Sequence, residues 1–313
     1  MCRALYTRCG KRWKRRLRSV SSPVLFKKMY MRFLFFCCLL CCSLAQAQTR
    51  VSYRDSLYLD HYRPQGKPNG MSVMFIHGGG FTGGETANQK PFAEGMSKRG
   101  YNVFVISYRL YLKGSSFGCN TVTPEKLKAI RLAVEDAADA AKFILSRADS
   151  FRVNPGQFFL AGSSAGAETA LQLLYNPFAA ADPARFDYFK TPRFCGALIF
   201  AGALVDINTM QPANWVPMLL MHGTKDQLVP FGTASHHFCP ATSQGWMMLF
   251  GSKTIYEKGK EWNKPVVLYT YNGNGHEVSN YMFREFDKMD TFMRNVVTGK
   301  KIGAKEVVGV GMK

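Results

Sequence analysis

One stretch of nine residues limits the fold of this chain more than any other, because it joins an apolar run to a glycine-rich turn and a helix. Residues 158–166 read Phe-Phe-Leu-Ala-Gly-Ser-Ser-Ala-Gly, and the helix-forming segment 167–174 follows directly. A strand, a sharp turn and a helix in this order hold the central serine of G-x-S-x-G on an exposed corner. Small residues of this kind also occur where a helix simply packs on a strand. The rest of the chain must therefore decide whether Ser164 is a nucleophile.

Apolar runs alternate with helical segments along the remaining sequence. Buried strands are expected at 72–76, 102–108, 196–202, 217–222 and 266–271, and helices at 85–100, 123–146 and 281–297. This alternation predicts an α/β domain whose mostly parallel sheet is covered by helices on both faces. We expect that domain to span residues 48–300, with an edge strand or hairpin at 51–62 and a flexible tail at 301–313.

The N-terminal segment has the three regions of a secretory signal peptide. Basic residues precede the apolar run 33–42, which is shorter than the roughly 17–25 residues that span a bilayer. Ala45-Gln46-Ala47 then supplies the small residues of a cleavage site. We expect residues 1–47 to be removed before Gln48, so that an exported protein without a stable membrane span reaches the periplasm or the extracellular space.

The basic region before this apolar run is longer than a signal peptide needs. Residues 11–18, Lys-Arg-Trp-Lys-Arg-Arg-Leu-Arg, have the composition of a nucleic-acid-binding or membrane-surface arm. The simpler interpretation, which we favour, is that translation starts at Met29 or Met31 and that residues 1–28 are an artefact of gene prediction.

Charge is unevenly distributed, which removes the apparent case for nucleic-acid binding. The formal charge is +20, yet 11 of the 41 Lys and Arg and none of the 21 Asp and Glu lie in residues 1–47. Residues 48–313 carry 30 basic and 21 acidic residues, a formal charge of +9. That balance is typical of a moderately basic globular enzyme and requires no nucleic-acid partner.

Residues of the types found in catalytic sites follow four of the expected strands. In an open α/β sheet, the functional loops gather at the carboxyl ends of the strands. The residues that occupy such ends are the Gly78–Gly80 run, Ser164, Asp226 in the segment His-Gly-Thr-Lys-Asp, and His276 in the segment Asn-Gly-Asn-Gly-His-Glu. We therefore expect them to meet at one edge of the sheet.

These residue types are those of a serine hydrolase. Ser164 attacks a carbonyl group only when a base removes its proton, so His276 would be the general base and Asp226 would orient the imidazole. Backbone N–H groups would stabilise the oxyanion, and the residues expected to supply them are Gly79, Gly80 and Ala165.

Other side chains at strand ends compete for these roles. Asp206 also follows a strand, but the order of the strands favours Asp226 as the acid. His77 and His222 end strands and are interpreted as structural. The neighbouring His236 and His237 are interpreted as a surface-loop feature, because no Cys or His spacing predicts a metal site.

The combined motifs resemble the α/β-hydrolase esterases. They are His77-Gly78-Gly79-Gly80, Gly162-Ser163-Ser164-Ala165-Gly166, His222-Gly223-Thr224-Lys225-Asp226 with Val229-Pro230, and Gly275-His276-Glu277. The likeness is to bacterial carboxylesterase/lipase-like proteins, including feruloyl and acetyl-xylan esterases, and covers about residues 51–297. It implies a Ser164–His276–Asp226 triad that forms an acyl-enzyme without a cofactor or metal, and a small-molecule or polysaccharide-linked ester as substrate.

The loops expected around this site are its least determined part. The segment 203–216 is too short for a cap domain, whereas the loops 110–123 and 231–250 are long. The second loop carries large apolar side chains, which either wall an acyl or aryl site or extend the core. Six of the nine cysteines lie in residues 1–47, and each long loop carries one of the remaining three, so we expect a Cys119–Cys239 disulfide with Cys195 free.

The expected activity is hydrolysis of short-acyl or carbohydrate-linked (acetyl or feruloyl) esters. A serine peptidase of the prolyl-oligopeptidase kind is the alternative, because it shares the fold and the order of the triad. We disfavour it, because the expected hydrolase domain takes up nearly all of the mature chain and we expect no propeller domain beside it. A non-catalytic carbohydrate-binding relative is a third hypothesis, which the complete set of motifs disfavours.

Overall fold

A computed structural model describes residues 48–175, 183 and 194–310. The expected signal peptide at 1–47 and most of the connection at 176–193 lie outside these residues. The strands in the described part are β1 Gln48–Arg54, β2 Leu57–Tyr62, β3 Ser72–Ile76, β4 Asn102–Ile106, β5 Phe158–Ser163, β6 Gly196–Phe200, β7 Ala203–Leu204, β8 Met218–Gly223, β9 Thr233–Ser235, β10 Met248–Gly251, β11 Val266–Asn272 and β12 Ala304–Val310. The α-helices are α1 Lys90–Lys98, α2 Thr123–Ser146, α3 Ala148–Phe151, α4 Ala165–Tyr175, α5 Ser252–Glu261 and α6 Phe286–Val297.

Nine of these strands form the main sheet, in the order β1-β2-β4-β3-β5-β6-β8-β11-β12. From β4 to β12 all neighbours are parallel, while β2 pairs antiparallel with both β1 and β4. The prediction of a mostly parallel α/β sheet is therefore confirmed. The expected feature at residues 51–62 is the β1–β2 hairpin.

Alternate residues of the central strands pack into two different apolar layers. On β3, Met74 and Ile76 pack in the layer that contains α2 and α4, whereas Val73 and Phe75 pack in the layer that contains α1 and α6. All four side chains are fully buried. Period-two alternation places them on opposite faces, and helices cover both, which explains why β3 is apolar throughout.

The C-terminal edge of the sheet differs from the expected flexible tail. Residues 304–310 form β12, which pairs in parallel with β11 along its length. Glu306 fixes this strand, because its carboxylate accepts hydrogen bonds from Lys253 Nζ at 2.6 Å and from Thr270 Oγ1 at 2.7 Å. Residues 301–303 have no regular structure, and 311–313 lie outside the described residues.

No cap domain separates β6 from β8, a segment that is described throughout. It contains only β7 and two short 3₁₀ turns, Ile207–Thr209 and Pro212–Asn214. β7 pairs with β10, and β10 pairs with β9, in a small antiparallel sheet. The segment 231–250 thus supplies β9 and most of β10 of this second sheet. In the described part of the chain, no helix has the length and apolarity needed to cross a membrane.

Candidate active site

Ser164 lies on the turn between β5 and α4 in a conformation that few side chains adopt. Its φ is 52°, in the left-handed region. Its N–H donates to the Phe200 carbonyl at 2.9 Å, and its own carbonyl accepts from the N–H groups of Ala167 at 2.7 Å and Glu168 at 2.9 Å. Main-chain bonds on both sides thus hold the strained residue in place, as a functional turn requires.

The two glycines that flank Ser164 allow the strand and the helix to approach closely. A Cβ on Gly162 would lie 2.3 Å from the carbonyl oxygen of Gly166. A Cβ on Gly166 would lie 2.1 Å from the carbonyl oxygen of Ile76, on the neighbouring strand β3. Because the obstructing atoms belong to the backbone, both positions require glycine.

The structure brings together the three residues expected to form a triad. Ser164 Oγ lies 2.7 Å from Nε2 of His276, and Nδ1 of His276 lies 2.8 Å from Oδ2 of Asp226. The carboxylate accepts only, so the imidazole carries its proton on Nδ1 and presents the lone pair of Nε2 to the serine hydroxyl. This is the tautomer that a general base needs.

Asp226 is held as a buried carboxylate. Its side chain is fully buried, and Oδ1 accepts hydrogen bonds from the N–H groups of Leu228 at 2.9 Å and Val229 at 3.0 Å. Burial alone would raise the pKa of Asp226, but hydrogen bonds from His222 and His276 outweigh it and keep the pKa well below its ordinary value. The group therefore stays charged opposite the imidazole.

Sequence reasoning missed the role of His222, which it interpreted only as structural. Nε2 of His222 lies 3.3 Å from Asp226 Oδ2 and 3.1 Å from the Val229 carbonyl oxygen. Both neighbours accept hydrogen bonds, so Nε2 carries the proton, and Nδ1 accepts from Ser252 Oγ at 2.8 Å. Because His222 lies on β8 and Asp226 in the turn that follows, their spacing in the sequence did not by itself predict this contact.

Asp206, the competing carboxylate, has a local structural task. Its Oδ1 accepts hydrogen bonds from the backbone N–H of Asn208 at 2.9 Å and from its Nδ2 at 3.0 Å. It thereby caps the short 3₁₀ turn Ile207–Thr209.

The cleft that contains Ser164 is also lined by the three residues expected in an oxyanion hole, Gly79, Gly80 and Ala165. Ala165 is the first residue of α4, so its N–H has no acceptor within the helix. Gly79 and Gly80 have φ values of 122° and 59°. A Cβ on Gly79 would lie 2.1 Å from the carbonyl oxygen of Gly83. The fold of this run therefore depends on glycine.

His77 contacts the backbone of the glycine run and has a structural role, as the sequence predicted. Its Nδ1 lies 2.7 Å from the Gly78 carbonyl oxygen, to which it donates. Its ring stacks on Tyr108 at 4.5 Å, and the Tyr108 hydroxyl donates to the His77 carbonyl at 3.0 Å. Burial lowers the pKa of His77 to about 4, so the ring is neutral at neutral pH.

A cleft of about 480 Å³ opens over Ser164. The loop 110–123 contributes Phe117 to its lining, and the segment 231–250 contributes His236 and His237. The large apolar side chains of that segment do not line the cleft. Three of them, Phe231, Met247 and Phe250, pack against the core, while Phe238 and Trp246 are exposed. The core-extension interpretation of this segment is the better one.

The expectation that His236 and His237 belong to a surface loop was wrong. His236 is buried, and its Nε2 lies 3.2 Å from Oε1 of Glu168. Burial is the main cause that lowers the pKa of His237 to about 4, and the neighbouring Lys126 contributes in the same direction. Among the described residues, no group of three His, Cys, Asp or Glu side chains is arranged to hold a metal ion.

A disulfide lies next to this histidine pair. Cys119 is bonded to Cys239, with 5.3 Å between the Cα atoms, and Cys195 is a free thiol. The two loops are also joined by Gly245, whose N–H donates to the Cys119 carbonyl at 2.9 Å and whose carbonyl accepts from Lys126 Nζ at 2.8 Å. The pairing expected from the sequence is thus present, and it fixes one wall of the cleft.

The sheet order and the strand–turn–helix around Ser164 define an α/β-hydrolase. Residues 59–178 match the family model BD-FAE, which describes feruloyl-esterase-like α/β-hydrolases. The fold is therefore that of the α/β-hydrolases, and the matched segment is similar to the feruloyl-esterase-like family. A search of curated protein sequences gave no match.

Solved structures support the assignment of the fold. The chain is similar to Est2, a thermophilic esterase from the planctomycete Thermogutta terrifontis, at 20% identity and a TM-score of 0.57, over 80% of this chain and 93% of that one. It is also similar to T. terrifontis esterase 2 phosphorylated by paraoxon, at 20% identity and a TM-score of 0.54, over 78% and 93% of the two chains. The chain is likewise similar to Est2 with bound butyrate, at 19% identity and a TM-score of 0.54, over 79% of this chain and 94% of that one.

Proposed function

We propose that this protein is a serine carboxylic ester hydrolase. The observation that carries the proposal is the continuous contact from Ser164 Oγ to His276 Nε2 at 2.7 Å and from His276 Nδ1 to Asp226 Oδ2 at 2.8 Å, at the floor of an open cleft. Serine is a weak nucleophile, and a base at hydrogen-bond distance is what activates it.

The chemistry proceeds in two halves. In the first, Ser164 Oγ attacks the ester carbonyl while His276 Nε2 takes its proton, and the negative oxygen faces the N–H groups at Gly79, Gly80 and Ala165. The tetrahedral intermediate expels the alcohol, which receives the proton from His276 and leaves an acyl-enzyme. Water then adds to the acyl carbon while His276 Nε2 takes its proton; the bond between the acyl carbon and Ser164 Oγ breaks, Oγ regains the proton from His276, and the carboxylic acid leaves. Asp226 stabilises the imidazolium in both halves and stays ionised.

The likeness to esterases favours esters over peptides as substrates. Est2 structures with bound propionate and butyrate further favour short acyl groups for this chain. An open cleft with no cap between β6 and β8 also suits esters whose alcohol part is large, such as carbohydrate-linked acetyl or feruloyl esters.

The proposal includes export to an oxidising compartment. It is supported by the charged, apolar and small-residue regions of residues 1–47 and by the disulfide between Cys119 and Cys239, since such bonds persist mainly outside the cytosol. Detection of the protein with an N-terminus at Gln48 in a periplasmic or culture-medium fraction would support export. Recovery of only unprocessed protein in the cytosol would contradict it.

The experiment that tests the proposed function joins covalent labelling to turnover. A fluorophosphonate should label Ser164, and the purified protein should hydrolyse p-nitrophenyl acetate and butyrate. Ser164→Ala should lose both properties while it unfolds at the same temperature. Hydrolysis of aminoacyl-arylamides without hydrolysis of the aryl esters would favour the peptidase alternative. Failure of Ser164 to react would overturn the serine mechanism.

A further inference from the structure

Glu168 is a buried acid that the proposed mechanism does not use. It lies one helical turn after Ser164 on α4, and its N–H donates to the Ser164 carbonyl at 2.9 Å. Helix side chains lean toward the N-terminus of their helix, which here is the end that carries the nucleophile. Accordingly, Glu168 lines the cleft over Ser164, although only 2% of the residue is exposed to solvent.

Two atoms at this point of the cleft lack hydrogen-bond partners. Within the described residues, Oε1 of Glu168 and Nδ1 of His236 are both buried and accept no hydrogen bond. Nε2 of His236 lies 3.2 Å from Oε1, which is within ion-pair distance but does not meet the geometry of a hydrogen bond. Buried polar atoms without partners are uncommon in native proteins, and each needs an explanation.

The missing partner has to be a donor. Nε2 of His236 lies 3.2 Å from a carboxylate oxygen, which electrostatically favours the neutral tautomer with its proton on Nε2, and Nδ1 is then an acceptor. A carboxylate oxygen also accepts only. A group that carries O–H or N–H bonds is therefore the ligand that this corner of the cleft lacks.

The charges around Glu168 favour a neutral donor over a cation. Lys126 is fully buried in the same wall, where its Nζ donates to the Gly245 carbonyl at 2.8 Å and lies 5.4 Å from the ring centre of Phe117. The ring of His237 packs against that of His236, with 4.3 Å between the ring centres and 40° between the ring planes. The carboxylate thus already interacts electrostatically with the Lys126 cation and has the His236 imidazole at 3.2 Å. A hydroxyl group supplies the missing hydrogen bond without adding further positive charge.

We propose that Glu168 and His236 form a subsite that binds a hydroxyl group of the ester substrate. The protein would then select esters that carry a hydroxyl group near the scissile bond, on either the alcohol or the acyl part. The inference rests on the proposed ester hydrolysis and adds the polar end of the substrate cleft to it. The Cys119–Cys239 disulfide holds this subsite in place, because Cys239 follows His236 by three residues and its N–H donates to the His236 carbonyl at 3.2 Å.

The test compares matched esters that differ in one feature. One pair, propyl acetate and glyceryl 1-monoacetate, varies hydroxyl groups on the alcohol; another, methyl butyrate and methyl 3-hydroxybutyrate, varies one on the acyl group. A third pair, 3,3-dimethylbutyl acetate and acetylcholine, varies positive charge. In the unmodified protein we expect kcat/KM to be about 10- to 100-fold higher for the hydroxylated member of one of the first two pairs, mainly through KM. For the third pair, we expect kcat/KM to be no higher for acetylcholine than for 3,3-dimethylbutyl acetate.

Three variants of the full chain assign this preference to the subsite. Glu168→Leu should reduce the preference at least about tenfold. Glu168→Gln keeps a carbonyl acceptor and should retain part of it. Glu261→Gln, a control at an exposed carboxylate on α5, should retain all of it. Fluorophosphonate labelling of Ser164 and thermal unfolding show whether each variant is folded and has a reactive serine.

The outcomes separate the two proposals. A protein that labels and hydrolyses aryl acetates, but shows no hydroxyl preference or keeps it in Glu168→Leu, overturns the subsite alone. A preference for acetylcholine that Glu168→Leu abolishes also overturns it, in favour of a cation site. If Ser164 does not label and no ester is hydrolysed, both proposals fail.

Discussion

Nε2 of His222 lies 3.3 Å from Oδ2 of Asp226, the same oxygen that lies 2.8 Å from Nδ1 of His276. A second imidazole thus orients the carboxylate from within the core, since His222 is itself fully buried. Residues that hold a charged group in one geometry often affect turnover without touching the substrate.

Replacing His222 should therefore weaken catalysis as well as folding. His222→Phe removes the donor to Asp226, so kcat should fall at least about tenfold, or ~1.4 kcal/mol of transition-state stabilisation. The pKa of Asp226 should rise, because one of the hydrogen bonds that lowers it is lost. His222→Gln supplies an N–H group and should recover part of kcat. Equal turnover per fluorophosphonate-reactive site in all three proteins would show that His222 is only structural.

Gly166→Ala should be among the most damaging single-methyl changes in the chain. The added Cβ would lie 2.1 Å from the Ile76 carbonyl oxygen, so either β3 or the start of α4 must move. We expect a loss of at least about 1–3 kcal/mol of unfolding free energy, together with a large loss of activity. Gly303→Ala, where no atom lies within 4 Å of the new methyl, is the matched control in denaturant titrations. Similar stabilities for the two variants would contradict the close contact at the turn.

The Cys119–Cys239 disulfide should contribute substantially to stability. The bond joins residues 120 positions apart, and removing a native cross-link of this kind costs about 2–4 kcal/mol. Replacing both cysteines by serine should lower the unfolding free energy by that amount, while Cys195→Ser tests the effect of changing a cysteine outside the bond. Thiol titration of the processed, unreduced chain should find one free thiol, and three would exclude the bond.

The two carboxylates at strand ends should differ sharply when each is changed to an amide. Asp226→Asn removes the charge opposite His276 and allows the wrong tautomer, so kcat should fall about ten-thousandfold. Asp206→Asn retains a capping side chain and should leave kcat within about twofold. Steady-state kinetics on p-nitrophenyl acetate measure both. Comparable losses would reopen the choice of the triad acid.

Stability should fall as the pH decreases from about 6.5 to about 4. Burial lowers the pKa of His61 and His77 from 6.5 to about 4, so in this interval the unfolded chain binds protons that the folded chain does not. Each histidine therefore contributes stability that is complete above pH 6.5 and is lost toward pH 4, about 1–3 kcal/mol in each case. Denaturant titrations across this range measure the slope.

His61→Gln identifies the contribution of one of these groups. The amide can still bond with Asn102, whose Oδ1 lies 2.6 Å from His61 Nε2, but it does not titrate. The slope of the unfolding free energy against pH measures how many more protons the unfolded chain binds, and this number should decrease by up to about one. An unchanged slope would mean that His61 is not the buried neutral group that the structure indicates.

Much of the fold could be predicted because each local sequence pattern was compatible with essentially one secondary structure. An apolar strand that ends in glycines around a serine fits few other arrangements, and the sheet order then places Asp226 and His276 near Ser164. The sequence could not reveal the strand Ala304–Val310, since its stability depends on β11 and on the contact of Glu306 with Lys253.

The polar end of the cleft was missed for a different physical reason. Glu168 and His236 are 68 residues apart, and neither belongs to a motif. They meet because a disulfide and a small second sheet bring one loop over the helix that follows the nucleophile. Apolar content alone could not decide whether the large side chains of the segment 231–250 line the site or extend the core, and it is the two histidines of this segment that line the cleft.

The disulfide also divides the proposed triad between two parts of the covalent structure. Residues 119–239 form a closed ring that contains Ser164 and Asp226, while His276 lies on the branch that leaves it. Because of that ring, one proteolytic cut at any bond between 119 and 239 leaves a single covalent molecule in which the nucleophile and the acid remain linked. A cut between 239 and 276 would instead separate the base from both of them.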